Sequence, residues 1–251
     1  MNRLNPMATP SRDPHFATTR WTMVASAGGG EVKSAAEALE AICTTYWFPL
    51  YAYIRRQRYT REEAEDLTQA FFLDLLEREP WQQLDRERGK FRAFLLAALK
   101  HFLSNSREAA CSQKRGGRAL HLSLDWQGAD SRFEMADPSQ SSPDQSYDRE
   151  WGMQLLGQVL EHLREEALAE GSTGRFEVLK DFLGSGSGEA SYEKAAAALD
   201  LNAGAARVAV HRLRKRYRQL LREEIARTLA DPAMVEDELR SLFAAFRHPA
   251  C

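Results

Sequence analysis

The chain has 251 residues, 43% of them hydrophobic and 28% charged, with a formal net charge of −2. That composition is one of a folded globular protein and excludes a disordered or fibrous chain. No run of eighteen apolar residues is present and MNRLNPMATPSRDPHF lacks an apolar signal region, so neither a membrane span nor a secretory leader is expected. Cys43, Cys111 and Cys251 are odd in number and scattered, which argues against a disulfide framework and fits a reducing cytosol. The small net charge hides a partition. Acids dominate 62–79 and 134–166, bases dominate 90–118 and 207–222, and such segregation points to separate faces with different partners.

Taken in chain order, residues 1–29 are polar and Pro-containing and form an N-terminal arm. Helical periodicity follows at Ala35–Arg58, Arg61–Glu77 and Phe91–Cys111, with Pro49 expected to kink or split the first of these. Residues 113–117 are basic and Gly-containing, and LHLSLDW (Leu120–Trp126) alternates briefly. Residues 128–146, rich in Asp, Ser, Pro and Gln, read as a linker because they lack apolar side chains to offset the entropy of ordering. Helical patterns resume at Asp148–Ala169, Arg175–Leu183, Tyr192–Leu199 and Ala203–Thr228, and an amphipathic segment, Pro232–Phe246, ends the chain. The expectation is an all-α protein: an arm (1–29), a helical domain (30–118), a flexible linker (119–147), a second helical domain (148–228) and a C-terminal extension (229–251).

In TREEAEDLTQAFFLDLL (Thr60–Leu76), Thr60 and Glu63 have the spacing of a capping box. Ala64, Leu67, Phe71 and Leu75 form an apolar stripe, widened by Thr68, Phe72 and Leu76. Glu62, Glu65, Asp66, Gln69 and Leu73 face the other way, as an acidic strip carrying an amide and a leucine. No His or Cys lies at ligand spacing on that strip, so a docking face for a basic partner is favoured over a metal or acid–base site. In Gly89–Arg118, Phe91, Phe94, Leu95, Ala98 and Phe102 are assigned to the core side, with Phe91 and Phe94 open to either core or surface. Lys90, Arg92, Lys100, His101, Arg107, Lys114, Arg115 and Arg118 make a basic surface interleaved with aromatics, a pattern suited to single-stranded nucleic acid.

SYEKAAAALDLNAGAARVAVHRLRKRYRQLL (Ser191–Leu221) turns abruptly basic: between Ala203 and Arg222 there are seven Lys/Arg and no acid. Ser191 is expected to cap a helix through Leu199, Asp200 to turn the chain in a left-handed conformation, and Asn202 to cap the next helix. Ala206, Val210, Leu213, Tyr217 and Leu220 form the apolar stripe of that second helix. Opposite lie Gly204, Val208, His211 and Lys215, flanked by Arg207, Arg212, Arg214 and Arg218, with small residues (Ala203, Gly204, Ala205) at the entry. A solvated Arg-rich face is the plainer reading. The tight helix–turn–helix spacing and small-residue entry favour DNA binding, with backbone approaching a groove and bases reaching phosphates.

Together, AEDLTQAFF (64–72), FRAFLL (91–96) with the basic helix behind it, a linker and the C-terminal helix-turn-helix resemble a bacterial RNA polymerase sigma factor of the extracytoplasmic-function (ECF) type. TTRW (Thr18–Trp21), KRGG (Lys114–Gly117) and LSLD (Leu122–Asp125) point to a particular variant of it. The resemblance implies a non-catalytic, cytoplasmic protein of the bacterial nucleoid, monomeric when free and needing no cofactor or metal. It implies that Glu62, Glu65, Asp66, Gln69 and Leu73 dock on the polymerase clamp. Lys90, Phe91, Arg92, Phe94, Lys100, His101, Arg107, Lys114 and Arg115 would then read and help melt the −10 element. Asn202, Ala203, Gly204, Ala205, Arg207, Val208, His211, Arg212, Arg214, Lys215 and Arg218 would read the duplex −35 element, and the linker would thread the polymerase channel. An anti-sigma factor is a further partner the resemblance allows.

Three departures carry expectations of their own. Phe94, His101 and Asn105 stand where many such factors have Trp, Asn and Asp. Ala195 or Ala196, and Ala206, replace larger aliphatics, which predicts a thinner core in the second domain, and Asp200 replaces glycine. Val235, Leu239, Leu242, Phe243 and Phe246 form the apolar face of the last segment, which either caps the second domain or covers the basic helix with its acids. The competing functional reading is a helix-turn-helix regulator acting on duplex operators without polymerase. A helical adaptor leaves the basic face unmotivated, and no nucleophile elbow, P-loop or metal motif supports an enzyme.

Overall fold

The computed structural model describes residues 32–78, 90–110, 125–135, 142–184, 189–229 and 231–246. The N-terminal arm, TTRW, KRGG and LHLSL lie outside these, as do Lys114 and Arg115. The described residues are all-α. Nine α-helices run in order: α1 (Val32–Arg56), α2 (Arg61–Arg78), α3 (Phe91–Ala110), α4 (Trp126–Met135), α5 (Pro143–Ala169), α6 (Thr173–Leu179), α7 (Glu189–Ala198), α8 (Ala203–Arg227) and α9 (Val235–Ala245). Short 3-10 turns, Lys180–Leu183 and Pro232–Met234, follow α6 and precede α9.

Several local expectations are met by direct contacts. Thr60 N–H donates to Glu63 Oε2 at 2.8 Å and Glu63 N–H to Thr60 Oγ1 at 3.3 Å, which is the capping box of α2. Asn202 Oδ1 accepts from Ala205 N at 2.7 Å and caps α8. Asp200 has φ +52°, the left-handed turn anticipated between α7 and α8, and Leu201 N–H closes it on the Ala196 carbonyl at 2.8 Å. Of the two outcomes expected at Pro49 the split does not occur, since α1 continues through it. One expectation fails: α7 begins at Glu189, so Ser191 lies inside that helix rather than capping it.

The most extensive helix pairing is α1 against α5, whose 27 residues make a rod about 40 Å long. Tyr147, Trp151, Leu155, Val159 and Leu163 are buried along one side of α5. They belong to one cluster with Tyr46, Leu50 and Ile54 of α1, Phe71 and Phe72 of α2, and Phe91, Leu95 and Leu99 of α3. Leu220, Leu221 and Ile225 of α8 and Leu239 and Leu242 of α9 join the same cluster. A second, smaller cluster (Leu179, Phe182, Ala195, Ala209, Val210) lies between α6, α7 and the first half of α8.

The 119–147 stretch assigned to a linker contains α4 and the first turns of α5, a correction with a clear cause. Trp126 packs edge-on to Trp47 at 5.5 Å and tilted to Tyr51 at 5.7 Å, and Ala129 is buried. Asp130 accepts from the Tyr51 hydroxyl at 3.1 Å and pairs with Arg55 at 3.4 Å. The Arg55 and Arg56 guanidiniums lie over the Phe133 ring. A few anchoring residues, invisible to an average over composition, order this segment. Helix α5 has its own start signal, a capping box between Ser142 and Gln145 with Pro143 at the first helical position.

Candidate nucleic-acid interface

Helix α8 buries Ala206, Ala209, Val210, Leu220, Leu221 and Ile225 and keeps Leu213 and Tyr217 partly covered, so its apolar stripe holds it against α5, α7 and α9. The opposite side is solvent-facing. Gly204, Arg207, Val208, His211, Arg212, Lys215, Arg218 and Arg222 are all exposed, and Ala203 and Ala205 are half-buried at the entry. Val208 is 51% exposed, an aliphatic side chain set among cations. Among the described residues Arg212 and Lys215 make no ion pair, whereas Arg207 pairs with Glu189 and lies over the Tyr192 ring. Arg214 is turned aside, its Nε donating to the Phe182 carbonyl at 2.8 Å. Arg216 belongs to the α5 side, where its bond to Glu166 holds that carboxyl below the usual carboxylate range. The face therefore presents a strip of cations and one aliphatic beside a capped, small-residue helix start. That arrangement can neutralise phosphates and admit close backbone approach.

On α2, Ala64, Thr68, Phe71, Phe72 and Leu75 are buried as expected, and Leu67 is partly covered. Glu62 and Asp66 are exposed, while Glu65, Gln69 and Leu73 are half-buried. Glu65 accepts from Arg61 Nε at 2.7 Å, one turn away on the same helix. The acidic strip thus stands on the outer side of its helix.

The α3 residues divide. Phe91 is 1% exposed and stacks edge-on to Tyr46 at 5.4 Å, so it is core and is withdrawn from the candidate nucleic-acid surface. Leu99 and Leu103, not assigned to the core from sequence, are buried there with Leu95. Phe94 is half-buried against the same cluster. Arg92 is buried, bonded to Glu238 through Nε at 2.6 Å and to Asp148, with its guanidinium 4.9 Å above the Trp151 ring. Lys90 reaches Glu238 at 2.5 Å and Ser241 at 3.0 Å. Lys100 is exposed but bonded to Asp144 at 2.6 Å, which raises its pKa. His101 and Arg107 are exposed, Arg107 donating to the Tyr59 hydroxyl at 2.8 Å.

Sequence reasoning missed Glu238, Asp148 and Asp144 as partners of these cations. A signal for the first was present: Glu238 sits three residues after Val235 and four before Leu242, on the apolar stripe of α9. A carboxylate in that phase calls for a buried cation. On the same helix Phe243, placed on the apolar face from sequence, is 51% exposed instead. Among the described residues no group of acidic, His or Cys side chains could hold a metal ion, and no helix is long and apolar enough to cross a membrane. No family model, curated protein or solved structure matches this chain.

Proposed function

We propose that this chain is a sigma factor of the ECF type, which binds core RNA polymerase and directs promoter-specific initiation without catalysing a reaction. The observation that carries the proposal is the phase of α8: its cations stand opposite its core, beside a small-residue, Asn202-capped start. In this reading α7 and α8 form a DNA-binding helix-turn-helix. The residues from Asn202 to Arg212 enter the −35 major groove, Val208 lies against a thymine methyl, and Lys215 and Arg218 take phosphates. The outward acidic strip of α2, with Asp66 and Gln69, docks on the polymerase clamp, and the exposed His101 and Arg107 of α3 face the −10 strand.

A second reading, a helix-turn-helix regulator of duplex operators, is favoured by one observation: Phe91 and Arg92 are buried and Lys90 is ion-paired, leaving α8 as the most openly basic face among the described residues. Mixing the pure protein with core polymerase separates the two. The sigma reading expects a stable complex and promoter-dependent initiation, both weakened by Asp66→Arg. Arg207→Ala and Arg212→Ala should leave polymerase binding intact, reduce −35-dependent initiation, and each lower the salt slope of duplex binding by about 1. Absence of any complex at micromolar concentration, with operator-like duplex binding retained, rejects the sigma reading in favour of the second.

A further inference from the structure

The carboxylate of Glu238 is fully buried, and what it touches is the start of α3. Its two oxygens take Lys90 Nζ and Arg92 Nε, 2.5 Å and 2.6 Å away. The contact is reinforced on the backbone, where Phe91 N–H donates to the Thr228 carbonyl at 3.3 Å and Lys90 and Leu229 form a single antiparallel bridge. From the other side, Asp148 also pairs with Arg92, and the buried Tyr147 hydroxyl donates to the Arg92 carbonyl at 3.0 Å. The first residues of α3 are thus held between the start of α5 and the segment running from Thr228 through α9.

Helix α9 is seated by shape as well as charge. It crosses α5 at Gly152, where a Cβ would lie 2.5 Å from Leu242 Cδ1 and 2.8 Å from Phe246 Cζ. A side chain there would force the Leu242 or Phe246 side chain to shift, and Leu242 is buried with little room to do so. Apart from this crossing, α9 is held by few anchors: Leu239 and Leu242 are buried, Val235 and Phe246 are half-buried, and Phe243 is exposed. Of its three acids Glu238 lies on the cations of α3, Glu236 reaches Arg222 of α8 2.8 Å away, and Asp237 pairs with Arg240 on α9 itself.

We propose that the C-terminal segment is an autoinhibitory clasp. Through Glu238 it occupies the two cations at the start of α3 that the phosphates of a single nucleic-acid strand would otherwise take, and it must lift before that helix can bind. The inference deepens the sigma reading and rests on it for the identity of the strand. Its physical content is a competition between one buried carboxylate and a polyanion for Lys90 and Arg92. Asp148, fixed at the start of α5, retains part of its hold on Arg92 when α9 leaves.

The test uses the full chain and a fluorescein-labelled single-stranded DNA oligonucleotide, read by anisotropy across a salt series, with amide hydrogen exchange as a second measurement. Gly152→Ala crowds the seat of α9 against Leu242 and Phe246 without changing charge, and Glu238→Gln removes the buried carboxylate. Asp237→Asn, an acid paired to Arg240 on the same helix, is the control for net charge. Both opening variants should lose exchange protection at 90–92 and 228–246 and bind the strand about tenfold tighter. Their salt dependence should steepen by up to about 1.4, two phosphates at about 0.7 each for a single strand. Asp237→Asn should leave protection and salt slope as in the wild type. Lost protection with unchanged affinity overturns the proposal, as does an equal gain from Asp237→Asn or unaltered protection in both opening variants. The readout needs no polymerase. A chain that fails to bind polymerase yet gains strand affinity on opening loses the sigma reading and keeps the clasp; one that binds polymerase with no such gain loses the clasp alone.

Discussion

Replacing Phe182 by alanine should unfold one part of the molecule and spare the rest. Phe182 is 5% exposed, its ring 4.9 Å from that of Tyr192, in a cluster whose other buried members are Leu179, Ala195, Ala209 and Val210. All of the five buried side chains but Phe182 are small or branched aliphatics, so Phe182 with Tyr192 supplies the largest side chains packed there. An aromatic of this kind buries about 150–250 Å², worth about 4–6 kcal/mol at about 25 cal/mol per Å² as an upper bound. Measured Phe→Ala costs in cores run about 3–5 kcal/mol. The bond from Arg214 to the Phe182 carbonyl is to backbone and survives the change. The assay is native-state amide exchange. Protection in α6, α7 and the first half of α8 should fall by about a hundredfold or more, since about 1.4 kcal/mol is a factor of ten. Amides of α1 and the first half of α5, which belong to the larger cluster, should keep theirs. An equal fall in α1 would refute the separation into two clusters, and a fall below about tenfold would mean the cavity collapses at little cost.

Three further outcomes are expected. Asn202→Ala removes the cap bond to Ala205 and should cost about 1 kcal/mol in denaturant unfolding, with Asn202→Asp close to neutral. Asp200→Gly relieves a left-handed backbone at φ +52° and should stabilise by a few tenths to about 1 kcal/mol; a loss of stability would show the turn held by contacts of the carboxylate. Burial pushes the Tyr217 hydroxyl up to about 12, above its ordinary value near 10. The neutral form is the one the fold favours, so this contribution is fully present below about pH 10 and is lost as pH rises toward about 12. Tyr217→Phe should flatten that alkaline decline in a pH series of urea melts.

Much of the fold was legible in the sequence because it is written in local terms. Helix phase placed the stripes of α2 and α8, the Thr60–Glu63 and Asn202 caps follow from residues three apart, and Asp200 betrays its conformation by its type. The apolar side chains of α7 were also read correctly as small, but not what stands against them: Phe182 and Tyr192 fill the space beside Ala195. Failures share a cause. Whether Phe91 faces solvent, whether residues 126–135 order, and where Arg92 finds its anions depend on partners 45 to 146 positions away, which periodicity does not encode. Ser191 misled for a smaller reason: a good capping residue was available two positions inside the helix that forms.

Helix α8 belongs to both clusters at once, its first half to the small one and its second half to the large one, with Leu213 touching each. Its 25 residues contain no proline and no glycine beyond Gly204 at the entry, so it behaves as a stiff lever about 37 Å long. A tilt of about 5° where its end meets Leu229 and the start of α3 swings the cationic tip by about 3 Å, close to the 3.4 Å spacing of successive nucleotides along a strand. The two clusters are expected to melt separately, yet sharing α8 they cannot be aimed independently.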